Sequence, residues 1–381
     1  MTDFATWLSR LVRIPSVNPL QAGPTSGVPG EAALATELAA CFRSLGADRV
    51  ELEPLVDGRP NVYAVVRGRT DRVVALDVHT DTVTVENMTD PPFDGRVEHG
   101  AVWGRGALDT KASLGVICAL LEDWQRTGLR PDPTLVVVGS IGEEAGGMPG
   151  AIGFRAWAER QGMEIDQLVI AEPTELRPVV GHKGGLAVRI TVHGRSAHSA
   201  TPDEGANAIY AAARVVSALE AHHHDLTAVP PATPVGTGTL TVSIIHGGVA
   251  SNIVPELCTV SLGRRLAPGE DPAVEFERIA AIARDASPLP VTVEHQVAGE
   301  TGMPAFYAEP AGLAGALAAA AGTTPTTAPF GTNALRYDGF AREKVVFGPG
   351  RIEDAHKPTE HVTLADLDRT AAALTAWLQP G

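Results

Sequence analysis

Apolar residues follow two patterns along the first 180 positions of the chain. Short, almost unbroken runs rich in Val, Ile and Leu alternate with longer segments in which apolar residues recur every three or four positions. The runs predict strands buried on both faces, and the longer segments predict amphipathic helices. The strands are expected in "NVYAVVRG", "RVVALDVH", "TLVVVGSIG" and "QLVIAEP", and the helices in "DFATWLSRLVRI", "GEAALATELAACFRSLG" and "KASLGVICALLEDWQRTG". This alternation is typical of an α/β fold with a mixed, largely parallel sheet.

The pattern changes at Gly181, where apolar and polar residues begin to alternate one by one. Such alternation indicates strands with one buried face, and it occurs in four segments separated by amphipathic helices. The resulting order, β-α-β-β-α-β, matches the ferredoxin-like plan. Since 381 residues exceed what one ordinary hydrophobic core holds, two domains are expected. We assign residues 1–180 and 298–381 to an α/β domain and residues 181–297 to a ferredoxin-like domain inserted into it.

Composition and charge argue against several classes of protein. Hydrophobic residues make up 44% of the chain, as in a globular protein, and the net charge of −15 disfavours nucleic acid or an anionic membrane as a partner. Cys41, Cys118 and Cys258 have no paired spacing, which predicts buried thiols rather than disulfides or a thiolate zinc site. The N-terminal segment contains Asp3 and no unbroken apolar stretch, so no signal peptide is expected, and no run has the length of a membrane span. We therefore expect a cytoplasmic protein.

Acidic residues and histidines recur where predicted strands end or helices begin. "LDVHTD" closes one strand, "GALDTK" precedes a helix, "GEEAGG" and "AEPTE" follow further strands, and "GRIEDAHKP" lies near the C-terminus. Because the carboxyl ends of parallel strands line one crevice, these segments are expected to converge. Histidine and carboxylate are ligands of Zn²⁺, which takes about four of them. The candidates suit two ions that share a carboxylate; they are His79, Asp109, Glu143, Glu144, Glu172 and His356.

Neighbouring carboxylates have distinct expected roles around these ligands. A metal-bound histidine usually donates its second ring N–H to a carboxylate, and Asp81 lies two positions after His79, where a strand returns its side chain to the same face. Asp77 has the same parity and stays an alternative. Glu143 and Glu144 are adjacent and point in different directions, so one can bind metal while the other acts as a general base toward a bound water.

Seven segments of the chain, in their order, resemble the co-catalytic metallopeptidases that include acetylornithine deacetylase, succinyl-diaminopimelate desuccinylase, aminoacylase and glutamate carboxypeptidase. The segments are "HTDTV", "WGRGALDTKAS", "GEEAGG", "AEPTE", "GRSAHSATPDEGANAI", "GGVASNIVPE" and "GPGRIEDAHKPTE". The similarity covers nearly the whole chain. It implies that the α/β domain is catalytic, with two zinc or cobalt ions per subunit, and that the inserted domain serves as a lid and dimerisation domain. A free edge of that domain's sheet also favours a homodimer.

The resemblance implies a role for each candidate ligand. His79, Asp109 and Glu172 would hold one ion, and Asp109, Glu144 and His356 would hold the other. Asp109 would bridge the two ions, and the peptide bond that follows it is expected in cis.

Catalytic roles follow from the same resemblance. Glu143 would be the general base toward a water that bridges the ions, and Asp81 would orient His79. His198, in "RSAHSATP", would reach the active site of the partner subunit and stabilise the tetrahedral oxyanion.

Substrate-binding residues are implied in two further segments. Asn252 in "SNIVP" and Arg264 in "GRRLAPGE" match residues that bind the substrate carboxylate or oxyanion, and Arg265 is an alternative to Arg264 for binding the carboxylate. Arginine suits a carboxylate because its guanidinium binds in a bidentate manner. Gly331 and Thr332 are two more expected substrate-binding residues, and they open "GTNALRYDGF", where desuccinylases typically have "GTSDGRF".

The expected reaction is hydrolysis of the amide bond of an N-acyl amino acid or a small peptide-like substrate. "VVFGPGRIEDAHKPTEHV" looks most like the acetylornithine deacetylases and their close relatives. Dipeptidase, carboxypeptidase or desuccinylase activity on the same scaffold is an alternative, and so is a non-catalytic metal- or ligand-binding protein. Glu143 argues against the last, because a binding protein needs no base.

Two further features have an open or a structural interpretation. Arg336 is left as either a substrate contact or a surface residue. The histidine run at 222–224 is expected to be a solvated helix end before a loop.

Overall fold

The structure is a computed structural model that describes residues 3–296, 301–310 and 312–379. The chain forms two compact units. The first comprises Met1–Val180, Glu309–Thr326 and Thr332–Gly381, and the second comprises Gly181–Ala308 and Thr327–Gly331. The boundary expected between residues 297 and 298 lies outside the described residues.

Helices and strands alternate along the described chain. The helices are α1 Phe4–Val12, α2 Ala32–Ser44, α3 Lys111–Thr127, α4 Pro149–Arg160, α5 Ala208–Ala228, α6 Pro272–Ala286, α7 Gly312–Ala321 and α8 Leu364–Leu378. The strands are β1 Arg49–Pro54, β2 Pro60–Val66, β3 Val73–His79, β4 Val97–Glu98, β5 Ala101–Trp103, β6 Thr134–Ser140, β7 Ile165–Ile170, β8 Val179–His182, β9 Gly184–His193, β10 Thr239–Gly247, β11 Leu257–Leu266, β12 Val291–His295, β13 Phe306–Tyr307, β14 Thr326–Ala328, β15 Ala341–Val346 and β16 His361–Thr363.

The main sheet of the first unit is mixed, as the sequence predicts. Its strands begin with the order β1-β2-β6-β3-β7-β15, and β8 pairs antiparallel with β15 at the next position. The four strands β6, β3, β7 and β15 pair in parallel, whereas β1, β2 and β6 pair antiparallel. All residues of β2 are buried, and so is β3 after its first residue, which explains their nearly continuous apolar runs. The parallel centre brings the carboxyl ends of neighbouring strands to one edge.

Helix α4 has no counterpart among the predicted elements. Its sequence, "PGAIGFRAWAER", contains two glycines, which are poor helix formers, and this weakens the helical pattern. A Cβ atom on Gly153 would lie only 2.6 Å from Leu55 Cδ1, so this glycine permits close packing of the helix. Tertiary contact therefore outweighs local propensity here.

The second unit has the predicted ferredoxin-like plan. Its antiparallel sheet has the order β10-β11-β9-β12. Side chains of β9 alternate between buried and more exposed positions, and its buried residues share one core cluster with residues of α5 and α6. Strand β10 lies at an edge, and it exposes Ile244 and Ile245.

The histidine run at 222–224 does not end its helix, so that prediction is wrong. Helix α5 continues to Ala228, because Leu226 maintains the apolar spacing and packs against the core of the second unit. The Nδ1 atom of His223 accepts a hydrogen bond from the backbone N–H of Leu240 at 3.3 Å. This run is therefore partly embedded in the fold.

Two other expectations concern the cysteines and the membrane. All three cysteines are free and buried, as predicted. Within the described ranges, every helix is too short or too polar to cross a membrane.

Candidate metal centre

The predicted ligands lie where the parallel strands of the first unit end. His79 is the last residue of β3, Glu143 and Glu144 follow β6, and Glu172 follows β7. His356 lies on the segment after β15, and Asp109 lies just before α3. Because these strands are neighbours with the same direction, their carboxyl ends bring residues from distant parts of the sequence together.

Asp109 lies between the two histidines. Its Oδ1 atom is 3.0 Å from His79 Nε2, and its Oδ2 atom is 3.0 Å from His356 Nε2. The residue is only 4% exposed, and the peptide bond between Asp109 and Thr110 is cis, as expected from the resemblance. One carboxylate that offers each of its oxygens to a different histidine has the arrangement required of a bridging ligand.

The remaining carboxylates surround this centre. Glu144 Oε1 is 3.1 Å from His356 Nε2, and Glu172 Oε1 is 3.9 Å from His79 Nε2. Ligand atoms lie within 4.8 Å of one another in two sets, which are His79, Asp109 and Glu144, and His79, Glu143 and Glu172. Glu143 is thus close enough to an ion position to act either as a base or as a ligand.

The donor set fits divalent metal ions. Glu172 Oε1 is buried and has no hydrogen-bond partner. Burial raises the pKa of Glu172 and Glu143 well above the usual range, and neighbouring carboxylates add to the effect. Divalent cations would satisfy the unpaired oxygen and offset the repulsion among four carboxylates. Imidazole and carboxylate together are typical zinc ligands.

Both histidines have raised pKa values. Hydrogen bonds to Asp109 and Glu144 raise the pKa of His356 to about 10. Burial alone would lower the pKa of His79, but hydrogen bonds to Asp109 and Asp81 outweigh it and raise that pKa well above its usual value. Since a metal binds neutral imidazole, metal binding to this site must release protons and weaken as the pH falls.

Asp81 holds two parts of the site at once. The shorter contact of His79 Nδ1 is with the backbone oxygen of Asp81, at 2.9 Å, while the Asp81 carboxylate lies at 3.6 Å. That carboxylate accepts hydrogen bonds from the backbone N–H groups of Glu143 and Glu144, at 3.1 and 3.0 Å, and from Asn18 Nδ2 at 2.8 Å. It therefore fixes the turn that carries the two glutamates as well as lying behind the histidine.

Asp77, the alternative to Asp81, serves a different segment. Its Oδ2 atom accepts hydrogen bonds from Asn333 Nδ2 at 3.0 Å and from the Tyr337 hydroxyl at 2.7 Å. Thr332, predicted to contact substrate, is fully buried, and its Oγ1 atom accepts the backbone N–H of Ala334. Gly331, predicted with it, is partly exposed. Thr332 and Asn333, at the opening of the "GTNALRYDGF" segment, thus make hydrogen bonds within the fold.

The sequence did not identify Glu31 and Arg59 as supporting residues, and it left Arg336 as a substrate contact or a surface residue rather than a support of the fold. Glu31 pairs with Arg59, and Glu31 Oε1 accepts the backbone N–H of Gly142 at 3.2 Å, directly before Glu143. Arg336 donates from Nη2 to the Gly147 carbonyl oxygen at 2.9 Å, and so it also binds the loop that follows Glu144. Pairs so distant in sequence leave no local pattern.

Two predicted site residues lie close together in the second unit. Ser199 donates its backbone N–H to the carbonyl oxygen of Asn252 at 3.0 Å, and His198 forms a β-bridge with Ile253. His198 and Asn252 are both exposed. His198 Nδ1 accepts the backbone N–H of Ala200 at 3.1 Å, so its Nε2 atom carries the proton and can donate it outward.

The two arginines of β11 have opposite environments. Arg264 is fully buried, and its Nη2 atom pairs with Glu270 at 2.6 Å and Glu275 at 3.0 Å. Arg265 points to the other face of the strand and is exposed. Arg264 thus pairs with acidic residues inside its own unit, and Arg265 is the one of the two with an exposed side chain.

His198 and Arg265 belong to opposite ends of this sheet. On the paired strands β9 and β11, Leu257 lies opposite His193, and Arg265 lies opposite Gly185. Eight residues of extended chain from Leu257 to Arg265 span about 27 Å. His198 follows the His193 end, so one copy of this unit does not bring His198 and Arg265 together.

Comparisons with known proteins identify relatives in sequence and in fold. A family model described as a peptidase dimerisation domain matches residues 180–289. The chain is 32% identical over 339 residues to acetylornithine deacetylase of Myxococcus xanthus, covering 82% of each protein. It is 29% identical to succinyl-diaminopimelate desuccinylase of Methylorubrum populi, covering 95% of this chain and 94% of that protein. An M20 family metallo-carboxypeptidase of Sulfolobus solfataricus has a similar fold, with a TM-score of 0.76, 17% identity and 99% of both chains covered.

Proposed function

The chain belongs to the M20 metallopeptidase family, and from this premise we propose that it is a di-metal amidohydrolase that cleaves the amide bond of an N-acyl amino acid. The observation that carries the proposal is the position of Asp109, which directs one oxygen to each of His79 and His356 at 3.0 Å. Glu143 lies beside this centre, where a proton acceptor is needed. A protein that only bound metal would not require it.

The proposed ligands fall into two sets around the bridging carboxylate. His79 and Glu172 would hold one zinc or cobalt ion with Asp109, and Glu144 and His356 would hold the other. When bound, the two ions would polarise the amide carbonyl and lower the pKa of the attacking water.

Proton transfer is assigned to Glu143. Its carboxylate would take a proton from water as the oxygen attacks the carbonyl carbon, and would deliver that proton to the nitrogen as the C–N bond breaks. The products are the free carboxylic acid and the amine of the amino acid. Asp81 would support this step by holding the backbone N–H groups of Glu143 and Glu144.

Substrate binding is assigned to exposed residues of the second unit. Arg265, rather than Arg264, would bind the substrate carboxylate, because only Arg265 offers an exposed guanidinium. His198 would donate its Nε2–H to the oxyanion, and Asn252 lies in the adjoining loop. Since His198 and Arg265 belong to opposite ends of a strand about 27 Å long, a complete substrate site would take them from different subunits.

A homodimer through the second unit follows from this requirement. Strand β10 leaves a free edge with Ile244 and Ile245 exposed at 45% and 49%, and Tyr210 on α5 is 69% exposed. Edge pairing with a second copy would cover these side chains. We place the enzyme in the cytoplasm, because its cysteines are free and it carries a strong negative charge.

A substrate panel tests the proposal. Metal-free protein would be assayed with N-acetyl, N-succinyl and N-formyl amino acids and with dipeptides, before and after addition of zinc or cobalt. We expect no hydrolysis without metal and the fastest hydrolysis for an N-acetyl amino acid with metal. Preference for an N-succinyl substrate would support desuccinylase activity, as named for the Methylorubrum populi relative. Full activity of metal-free protein, or metal binding without any hydrolysis, would refute the proposed function.

A further inference from the structure

Three polar residues outside the ligand set join the segment that carries Asp109 to the segment that carries His356. They are Asn87, Arg105 and Glu360. Arg105 and Glu360 are each 1% exposed and form a buried ion pair, whereas Asn87 is exposed. A buried pair of this kind is costly to desolvate unless its remaining polar atoms are also bound.

Glu360 binds the backbone that leads into the bridging residue. Its Oε1 atom accepts the N–H groups of Leu108 at 3.0 Å and Asp109 at 3.1 Å, while Oε2 pairs with Arg105. Both carboxylate oxygens are therefore occupied. Glu360, which holds the backbone of Asp109, lies only four positions beyond His356. The segments of both candidate ligands therefore meet at one buried carboxylate.

Asn87 completes the connection on the His356 side. Its Oδ1 atom accepts a hydrogen bond from Arg105 Nη2 at 3.1 Å, and its Nδ2 atom donates to the carbonyl oxygen of His356 at 3.0 Å. Arg105 Nε is itself fixed by the carbonyl oxygen of Thr84 at 3.1 Å. The single amide group of Asn87 thus links the buried ion pair to the backbone of the histidine.

His356 needs this support more than His79 does. It has a φ of 61°, a conformation that side-chain-bearing residues rarely adopt, and its side chain is 49% exposed. His79, in contrast, lies at the end of a buried strand and is 2% exposed. Packing holds His79, whereas His356 relies on contacts of its backbone and on its ligand partners.

We propose that Asn87, acting with Arg105 and Glu360, is a positioning residue that holds His356 against Asp109 and so sets the affinity of one of the two metal positions. The inference rests on the proposed di-metal function. The position shared by His79 and Glu172 meets this network only through Asp109, whose backbone N–H is bound by Glu360 and not by Asn87. Loss of Asn87 therefore weakens the binding of one ion and leaves the binding of the other unchanged.

The test measures metal binding rather than activity. Metal-free wild type and Asn87→Ala would compete for Zn²⁺ with a chromophoric chelator, which yields two dissociation constants. Outer-shell contacts typically change metal affinity 10–100-fold, and because Asn87 is exposed we expect one constant to rise by about 10-fold and the other to stay unchanged. Glu86→Gln is the matched control, since Glu86 is exposed in the same loop and bonds Thr25 instead.

Asn87→Asp separates the two bonds of the amide. It keeps an acceptor for Arg105 and removes the donor to the His356 carbonyl. The added negative charge of this variant by itself favours the binding of a cation. Weaker metal binding in this variant must therefore come from the lost hydrogen-bond donor. Thermal unfolding of each metal-free variant confirms that the fold is intact.

A double-mutant cycle assigns the affected ion. In a His356→Ala background, Asn87→Ala should have no further effect on the ion that remains. The inference is overturned if neither constant changes, if both rise equally, or if the effect persists without His356. Absence of any bound ion in wild type would overturn the proposed function itself, which is a separate outcome.

Discussion

Most candidate residues of the first unit are buried and joined by hydrogen bonds, whereas His198, Asn252 and Arg265 of the second unit are exposed and far less connected. His79, Asp109 and Glu172 are each 5% exposed or less. His198 and Asn252 face solvent at one end of the second sheet, and Arg265 belongs to the other end. One unit brings the candidate metal ligands together within a single chain, and the other carries its candidate substrate contacts at separate ends of a sheet.

This difference has a physical basis. Four carboxylates close together repel one another, so they must be held by a scaffold of hydrogen bonds until cations bind. Asp81, Glu31 and Glu360 supply that scaffold by accepting backbone N–H groups next to the ligands. Groups that bind a substrate must instead stay accessible until it arrives. The proposed metal ligands are therefore held in place before any ion binds, whereas the proposed substrate contacts stay exposed to solvent.

The sharpest way to test the metal centre is to separate its two adjacent glutamates. Glu143→Ala should retain both ions and lose turnover by roughly 10²–10⁴-fold, because it removes the proposed base. Glu144→Ala should instead lose metal, because Glu144 lies 3.1 Å from His356 and completes that position. Turnover and bound metal per chain would be measured for both variants. Loss of metal in Glu143→Ala with none in Glu144→Ala would exchange the two roles.

The exposed region can be tested by complementation between subunits. His198→Ala should lower turnover by about 10²–10³-fold, the usual cost of removing an oxyanion donor. Co-expressed His198→Ala and Glu143→Ala chains should regain roughly one quarter of wild-type activity, because half of the dimers are mixed and each mixed dimer has one intact site. Each variant expressed alone is the control. Mixed dimers confirmed by mass that stay inactive would mean that His198 does not act across subunits.

The smallest expected effect distinguishes the two neighbouring arginines. Arg265→Ala should raise KM by about 10–100-fold and leave thermal unfolding unchanged, because an exposed charge-assisted contact is lost. Arg264→Ala should lower the unfolding temperature, because it leaves Glu270 and Glu275 without their buried partner. Steady-state kinetics and thermal unfolding of both variants check this. A rise in KM for Arg264→Ala alone, with a stable fold, would restore the assignment of substrate binding to Arg264.

The sequence predicts the convergence of the candidate ligands well because strand ends are visible in it. Each candidate ligand follows an apolar run or precedes a helix, and parallel strands bring such positions together. The partnership of Arg105 with Glu360 has no comparable signal, since 255 positions separate the two residues. Each residue lies in one of the segments that resemble the family, but the sequence gives no sign that the two form an ion pair.

The arginine pair shows where a signal existed and was not used. Buried Leu262 and Leu266 share even positions on β11 with Arg264, so the period of two already places Arg264 on the core face and Arg265 opposite. The exact extent of α5 was harder to predict, because Ser, Thr and His residues obscure its end. Alternation along a strand is thus a better guide to side-chain orientation than composition is to helix boundaries.

The length of β11 has a consequence for how the enzyme behaves on dilution. Because about 27 Å of strand separates the His198 end from Arg265, a small substrate cannot touch both on one chain. If both residues bind the substrate, as proposed, catalysis would require the dimer, and the rate per chain would follow the monomer–dimer equilibrium. Such an enzyme would lose activity below the dissociation constant of its dimer, so the amount of protein in a cell would determine whether each molecule works as well as how many there are.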